Sequence, residues 1–273
     1  MQDPSHATTG DGNHAGWTIV TVTYNNSEQL TQHWSSGIPE GARWIVVDNA
    51  SSDGSAQLAE QFGAEVVPLQ RNIGFGAANN VGYALAHTDH VGFVNPDVTV
   101  EWQSLPALAE VASGIGGLIS PQLVNSDGTL QPNGRGWPFL LNKVLNRTAD
   151  ESRVDHYRLY ADPDEVRDVV WLMGAAVLGE RRVFDLLGGP WDDAFFVYYE
   201  DADICLRARA LGIPSAVVGQ SRWLHGWERA TSSANLHAWR REIPSMMKFY
   251  TRYPALLSPA VSRTTRRLER GRK

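Results

Sequence analysis

Residues 18–54 read TIVTVTYNNSEQLTQHWSSGIPEGARWIVVDNASSDG. Two nearly continuous apolar runs, TIVTVTY and WIVVD, flank a helix-length segment from Ser27 to Ser36, and a second helical segment, Ser55 to Phe62, follows. Runs without polar alternation are what strands show when both faces are covered. The pattern repeats with Glu65 to Leu69 before Phe75 to His87, and His90 to Asn95 before Trp102 to Ala112. Strand then helix, in units of roughly 25 residues, predicts an α/β fold with a mostly parallel central sheet and flanking helices. Ligands of such sheets sit beyond the carboxyl ends of the strands. Those ends are Thr23-Tyr24-Asn25-Asn26, Asp48 to Gly54, Arg71 to Gly76, and Asn95-Pro96-Asp97.

After Ser113 the rhythm changes. A hairpin is expected over 114–131 around Ser126-Asp127-Gly128, and 133–166 has no clear period. Then comes a second ordered block: Val169 to Leu178, a helix from Arg181 to Leu187, the run FFVYYED and a helix from Ala202 to Leu211. A strand SAVVG and a helix over 235–253 follow, the latter with Pro244 as a kink or restart. Residues 1–16 carry no apolar period and are expected to be a flexible lead. One domain is expected over 17–253, in halves 17–112 and 113–253, and 254–273 form a basic tail.

The 273 residues are 42% apolar and 20% charged, enough for a full core. Net charge is −6, unevenly spread. Arg263, Arg266, Arg267, Arg270, Arg272 and Lys273 against Glu269 give the last twelve residues +5, leaving −11 elsewhere from 18 basic and 29 acidic residues. An acidic body argues against nucleic acid as a partner, whereas the basic end suits an anionic membrane surface. The single cysteine, Cys205, excludes an internal disulfide and any multi-cysteine metal site. No apolar run reaches membrane-spanning length and the first residues lack a signal-peptide pattern, so a cytoplasmic location is expected, with peripheral contact at the inner face of the membrane.

Several side chains carry chemistry. Asp48 ends a buried strand, where its carboxylate needs donors: a nucleobase imide N–H or nearby backbone N–H groups. Gly74 and Gly76 have the wrong spacing and place for a dinucleotide fingerprint. Asp97, leaving a central strand after Pro96, can present an oxygen to a hard divalent cation that takes phosphate oxygens as further ligands, or can cap the next segment. His225 is either a second ligand beside Asp97 or a packed histidine. Glu200, Asp201 and Asp203 crowd three carboxylates at a helix start. The helix dipole accounts for one or two, and mutual repulsion raises pKa values toward those of a general base. Asp203 and Arg207, four apart, are expected to pair, leaving Glu200 and Asp201 to face the cleft.

Taken in order, VTYNN, VDNASSDGS, NIGFGAANN, NPD, WLMGAAVLGERRVFDLLGG, FFVYYEDADICLRARALG and WLHGWERATS resemble the family 2 inverting glycosyltransferases of GT-A fold, above all their bacterial rhamnosyltransferase-like branch. The resemblance implies a nucleotide-sugar-binding half followed by an acceptor and catalytic half. It implies that Thr23, Tyr24 and Asn25 line the nucleoside pocket, that Asp48 reads a pyrimidine, and that Asn72 and Gly74 lie along the nucleotide. Asp97 stands for the last acid of an Asp-x-Asp metal motif whose first position is Asn95, so one carboxylate of the motif faces the cation, Mg2+ or Mn2+. His225 matches a metal-binding histidine, Asp201 the catalytic base with Glu200 beside it, and Arg135 and Trp171 the acceptor side. Asn79 stands where many members carry an arginine. The implied donor is dTDP-L-rhamnose, with UDP-galactofuranose or another UDP-hexose as the alternative, and the acceptor is a cell-envelope glycan on a lipid diphosphate. A nucleotidyltransferase would need a Gly-rich basic loop after the first strand, which TYNNSEQ is not. A non-catalytic sugar-binding protein would have no need of Asp97, Asp201 and His225 together.

Overall fold

A computed structural model describes residues 16–148, 156–226 and 236–257. Its first half keeps the expected rhythm: β1 (Trp17–Thr23), α1 (Ser27–Trp34), β2 (Arg43–Asp48), α2 (Ser55–Gln61), β3 (Glu65–Pro68), α3 (Phe75–Leu85), β4 (His90–Val94), β5 (Val98–Thr99) and α4 (Leu105–Ile115). β1 is buried throughout and pairs in parallel with β2 and β4, and β2 pairs in parallel with β3. Helix α3 lies close on β1 because Gly82 carries no side chain; a Cβ there would stand 2.4 Å from Val20 Cγ1.

The second half contains β6 (Leu118–Val124), β7 (Gly134–Arg135), α5 (Leu140–Thr148), β8 (Arg158–Leu159), β9 (Val166–Val169), β10 (Trp171–Leu172), β11 (Ala176–Glu180), α6 (Arg181–Leu186), α7 (Glu200–Ala210), β12 (Ser215–His225) and α8 (Leu236–Arg252). Among the described residues nine strands form one sheet, β3-β2-β1-β4-β11-β6-β12-β5, with β9 against β12. β11 runs antiparallel between β4 and β6, so the two expected halves share one sheet. Strands β10, β7 and β8 form a small second sheet.

Several expectations change. The hairpin over 114–131 is instead the end of α4, the central strand β6 and a turn closed by one bridge, Val124 to Leu130. The ordered segment from Val169 to Leu178 divides among β9, β10 and β11, which serve two sheets. The helix expected from Ala202 begins two residues earlier, at Glu200, directly after Tyr198 and Tyr199, which take left-handed φ of 69° and 72°. SAVVG is only the start of β12, which passes a register shift between Val218 and Arg222 and ends at His225. Pro244 lies inside a continuous α8. The lead over residues 1–15, Trp227 with the rest of its motif, and the basic tail from Ser258 lie outside the described residues.

Candidate functional site

A cavity of about 290 Å³ opens at the carboxyl ends of β1, β2 and β4, lined among others by Val22, Tyr24, Asn26, Asn49, Asn72, Gly74, Asn95 and Asp97. Side chains alternate along β1, so Val22 lines the cavity and Thr23 does not. Beyond the end of the strand Tyr24 and Asn26 also line it, while Asn25 and Asp48 are not among its lining residues. The Thr23 hydroxyl donates to Asp48 Oδ1 at 3.0 Å, and Ser51 N–H donates to Asp48 Oδ2 at 3.0 Å. Asn25, at φ 58°, accepts from Ser52 N–H at 2.8 Å. Asp53 accepts from Ser27 N–H and Ser55 N–H, tying the starts of α1 and α2. These polar residues join two strand-to-helix turns.

Asn49, which the motif reading passed over, faces the cavity in place of its neighbour. Its amide donates to Asn72 Oδ1 (3.0 Å) and Gly74 O (3.2 Å) and accepts from Ile73 N–H (2.8 Å). Gly74 has φ 94°, and a Cβ on it would stand 2.6 Å from Phe196 O, so the loop carrying Phe196 and Val197 closes directly over this wall. Asn79, buried in α3, donates to Phe75 O and is not among the residues lining the cavity.

At the other rim the turn Asn95-Pro96-Asp97 is held from below. Trp34 Nε1–H donates to Pro96 O at 3.1 Å, and Trp34 stacks on Trp44 with centroids 4.1 Å apart. β12 and β5 pair His225 with Val98, and Gly226 N–H donates to Asp97 O at 2.8 Å. Antiparallel pairing of segments nearly half the chain apart thus brings His225 Nε2 to 3.4 Å from Asp97 Oδ2. Asp97 Oδ1 is buried without a hydrogen-bond partner among the described residues. His33 stands nearby: a Cβ on Gly226 would meet its Nε2 at 2.6 Å, and burial, opposed by the charge of Asp97, pushes its pKa down. An orphaned carboxylate oxygen beside an imidazole is a donor set that fits a divalent cation. Among the described residues no third His, Cys, Asp or Glu joins it, so further ligands would come from the bound molecule.

The carboxylates of α7 are the third part. Asp201 Oδ2 accepts from Gly174 N–H (3.2 Å) and Oδ1 from Ala202 N–H (2.8 Å). Burial pushes its pKa up, opposed by Lys143 and by those two bonds. Glu200 is buried with Oε2 unpartnered among the described residues, and burial followed by the charge of Asp201 raises its pKa strongly. Lys143 of α5 lies 4.4 Å from the centre of the Trp171 ring and 4.5 Å from that of Tyr199. Trp171 and Arg135 face each other as register partners of β10 and β7, both buried; burial pulls the Arg135 guanidinium down to about 10. Asp203 pairs with Arg207 at 2.9 Å as expected, and also accepts from Arg252 and Tyr253.

The segment Met173-Gly174-Ala175 links these parts. Met173 N–H donates to Asn133 O, Gly174 N–H to Asp201, and Ala175 O accepts from Asn95 N–H at 2.9 Å. A Cβ on Gly174 would lie 3.4 Å from Asp201 Cβ and 3.9 Å from Phe75, a residue of the cavity wall. Asp201 thus stands behind the cavity that Asp97 borders. Trp191 and Trp223 are buried in the core.

The raised Glu200 pKa has a stability consequence. Between the ordinary glutamate value of 4.5 and about 8 the folded chain holds a proton that the unfolded chain has lost, so stability falls as pH rises through that window. Glu200→Gln is expected to flatten that decline, read from urea midpoints across the window; an unchanged slope would show that Glu200 is not its source.

The family model for Glycosyl transferase family 2 matches residues 18–161. N-acetylglucosaminyl-diphospho-decaprenol L-rhamnosyltransferase of Mycobacterium tuberculosis is 29% identical over 233 residues, covering 76% of this chain and 75% of that protein. S. aureus TarS 1–349 superposes with TM-score 0.55 at 16% identity over 77% of this chain. The mannosyltransferase PcManGT of Pyrobaculum calidifontis, in complex with GDP-Man and Mn2+, gives 0.57 at 18% identity over 88%. The chain spans 60% and 64% of those two structures. At these identities the superpositions speak for the fold alone, which is the expected GT-A arrangement.

Proposed function

Because the chain belongs to glycosyl transferase family 2, we propose that it transfers L-rhamnose from dTDP-L-rhamnose to a hydroxyl of a lipid-diphosphate-linked glycan, with inversion at the anomeric carbon. The observation that supports this reading most is the separation of two acidic sites about one cavity, Asp97 with His225 at its rim and half-buried Asp201 behind Phe75. The first suits a diphosphate and the second a hydroxyl. Donor and acceptor follow the M. tuberculosis relative, whose name specifies L-rhamnosyl transfer and an N-acetylglucosaminyl-diphospho-decaprenol.

In this reading Tyr24, Asn49 and Asn72 hold the nucleoside end and Asp201 takes the acceptor proton. Glu200, pushed toward its protonated form by burial and then by the charge of its neighbour, leaves Asp201 as the anion of the pair. As the proton passes to Asp201, the acceptor oxygen bonds to the anomeric carbon from the face opposite the diphosphate. The glycosidic C–O bond breaks and its electron pair leaves on the phosphate oxygen. A divalent cation held by Asp97 and His225 would supply charge stabilisation for that leaving group. Lys143, Trp171 and Arg135 border the acceptor side. No described helix is long and apolar enough to cross a membrane, and the basic end would hold the enzyme at an anionic leaflet, near a lipid-linked acceptor.

A thermal-shift panel tests the donor. Saturating dTDP-L-rhamnose with Mn2+ is expected to stabilise by about 2.7 kcal/mol at a hundredfold excess over its dissociation constant. A larger shift from UDP-galactofuranose or another UDP-hexose would overturn rhamnose.

A further inference from the structure

His225 is one of two candidate cation ligands, and an imidazole can ligate through Nε2 only if the proton of the neutral ring sits on Nδ1. The structure shows what faces Nδ1. Gln131 Oε1 lies 2.6 Å from it, while Gln131 Nε2 lies 3.0 Å from the backbone oxygen of the same histidine. That carbonyl can only accept, so the amide must turn its NH2 group toward it. Its oxygen is thereby committed to Nδ1. An amide oxygen can only accept as well, so Nδ1 must carry the hydrogen.

The amide has a second reason to stay in this orientation. Gln131 Nε2 also donates to Asn125 Oδ1 at 2.7 Å, and Asn125 Nδ2 donates to Thr129 Oγ1 at 2.8 Å. The Thr129 hydroxyl spends its one hydrogen on Asp127 Oδ1, 2.6 Å away. A carboxylate at one end and a backbone carbonyl at the other, both acceptors, leave one direction for every bond between them. The polar turn 125–131 is a polarised chain that ends on the imidazole, and the core of that chain, Gln131 with His225, is buried.

We propose that Gln131 is a positioning residue that locks His225 in the Nδ1–H tautomer, so that a ready Nε2 lone pair faces Asp97. Two acceptor atoms 3.4 Å apart then face one another, an arrangement a cation relieves. The cation part rests on the role given above to Asp97 and His225; the tautomer part does not. Outer partners of this kind typically change metal affinity about 10–100-fold.

Long-range 15N–1H correlation on the metal-free wild-type protein reads the tautomer directly. A pyridine-like Nε2 on His225 is expected, and a protonated Nε2 in the neutral ring would overturn the lock without any variant. Mn2+ titration then compares three variants. Gln131→Met, which removes both amide groups, is expected to admit the other tautomer and to bind Mn2+ about 10–100-fold more weakly. Gln131→Glu, which keeps an acceptor against Nδ1, should retain the wild-type tautomer and most of the affinity. His225→Ala is the reference. If it loses affinity and Gln131→Met does not, the lock has no bearing on the cation. If neither loses any, the assignment of His225 itself fails. A misfolded Gln131→Met leaves the wild-type spectrum and the Glu variant to decide.

Discussion

Replacing Asp201 by Asn is expected to slow glycosyl transfer by about 10²–10⁴-fold, the span typical of losing a general base, while the thermal shift produced by the donor is unchanged. The substitution keeps the side chain's shape beside Gly174 and removes its capacity to take a proton. One of the two backbone donors now bonded to it, Gly174 or Ala202, would face an NH2 group, a loss of about 1 kcal/mol. Removal of a half-buried anion whose pKa is already raised by desolvation works the other way. Folding should therefore survive, and the defect should lie in turnover. Product formation followed beside donor-induced stabilisation separates the two effects. Near-normal turnover would dismiss Asp201 as the base.

The second large effect is expected from Asp97→Asn. It removes the only formal negative charge of the pair with His225, so Mn2+ affinity should fall by more than the factor of about 10–100 that outer partners give. Transfer at limiting Mn2+ should fall with it. Stability without metal should move little or rise, because the wild-type carboxylate buries an unpartnered oxygen beside an imidazole. Calorimetric Mn2+ titration alongside unfolding midpoints measures both. Unchanged affinity would remove Asp97 from the cation site, and a large loss of metal-free stability would show that its role is structural.

The alternation of strands and helices through residue 112 was legible because burial on both faces writes itself as uninterrupted apolar sequence. The same property hid the facing of the side chains. In VTYNN hydropathy cannot say which residues meet the cavity, and the structure divides the motif between Val22, Tyr24 and Asn26 on one side and the joints made by Thr23 and Asn25 on the other. The same holds for Asn49 beside Asp48: nothing in the hydropathy of VDN tells which of the two polar side chains meets the cavity. The small sheet was beyond local reading, since β7, β8 and β10 are two residues each and exist through pairing with distant chain. Gln131 and Lys143 matter through contacts with β12 and α7, for which neither has a local signature. The pairing of Asp203 with Arg207 was visible because a helix fixes the distance between positions four apart.

The last helix sets the smallest chain that can work. Asp203, fully buried two residues beyond Asp201, takes Arg207 on one oxygen, and on the other Arg252 at 2.7 Å and Tyr253 at 2.8 Å. A polypeptide ending before Arg252 would keep every cavity-lining residue named above. It would also leave Oδ1 of that carboxylate without either donor while Arg207 still holds Oδ2, and leaving a buried acceptor unsatisfied costs about 1–3 kcal/mol, more when it is charged, a sizeable share of a domain's stability. The boundary of the functional unit is therefore drawn by one interior charge, well past the last residue with any part in chemistry.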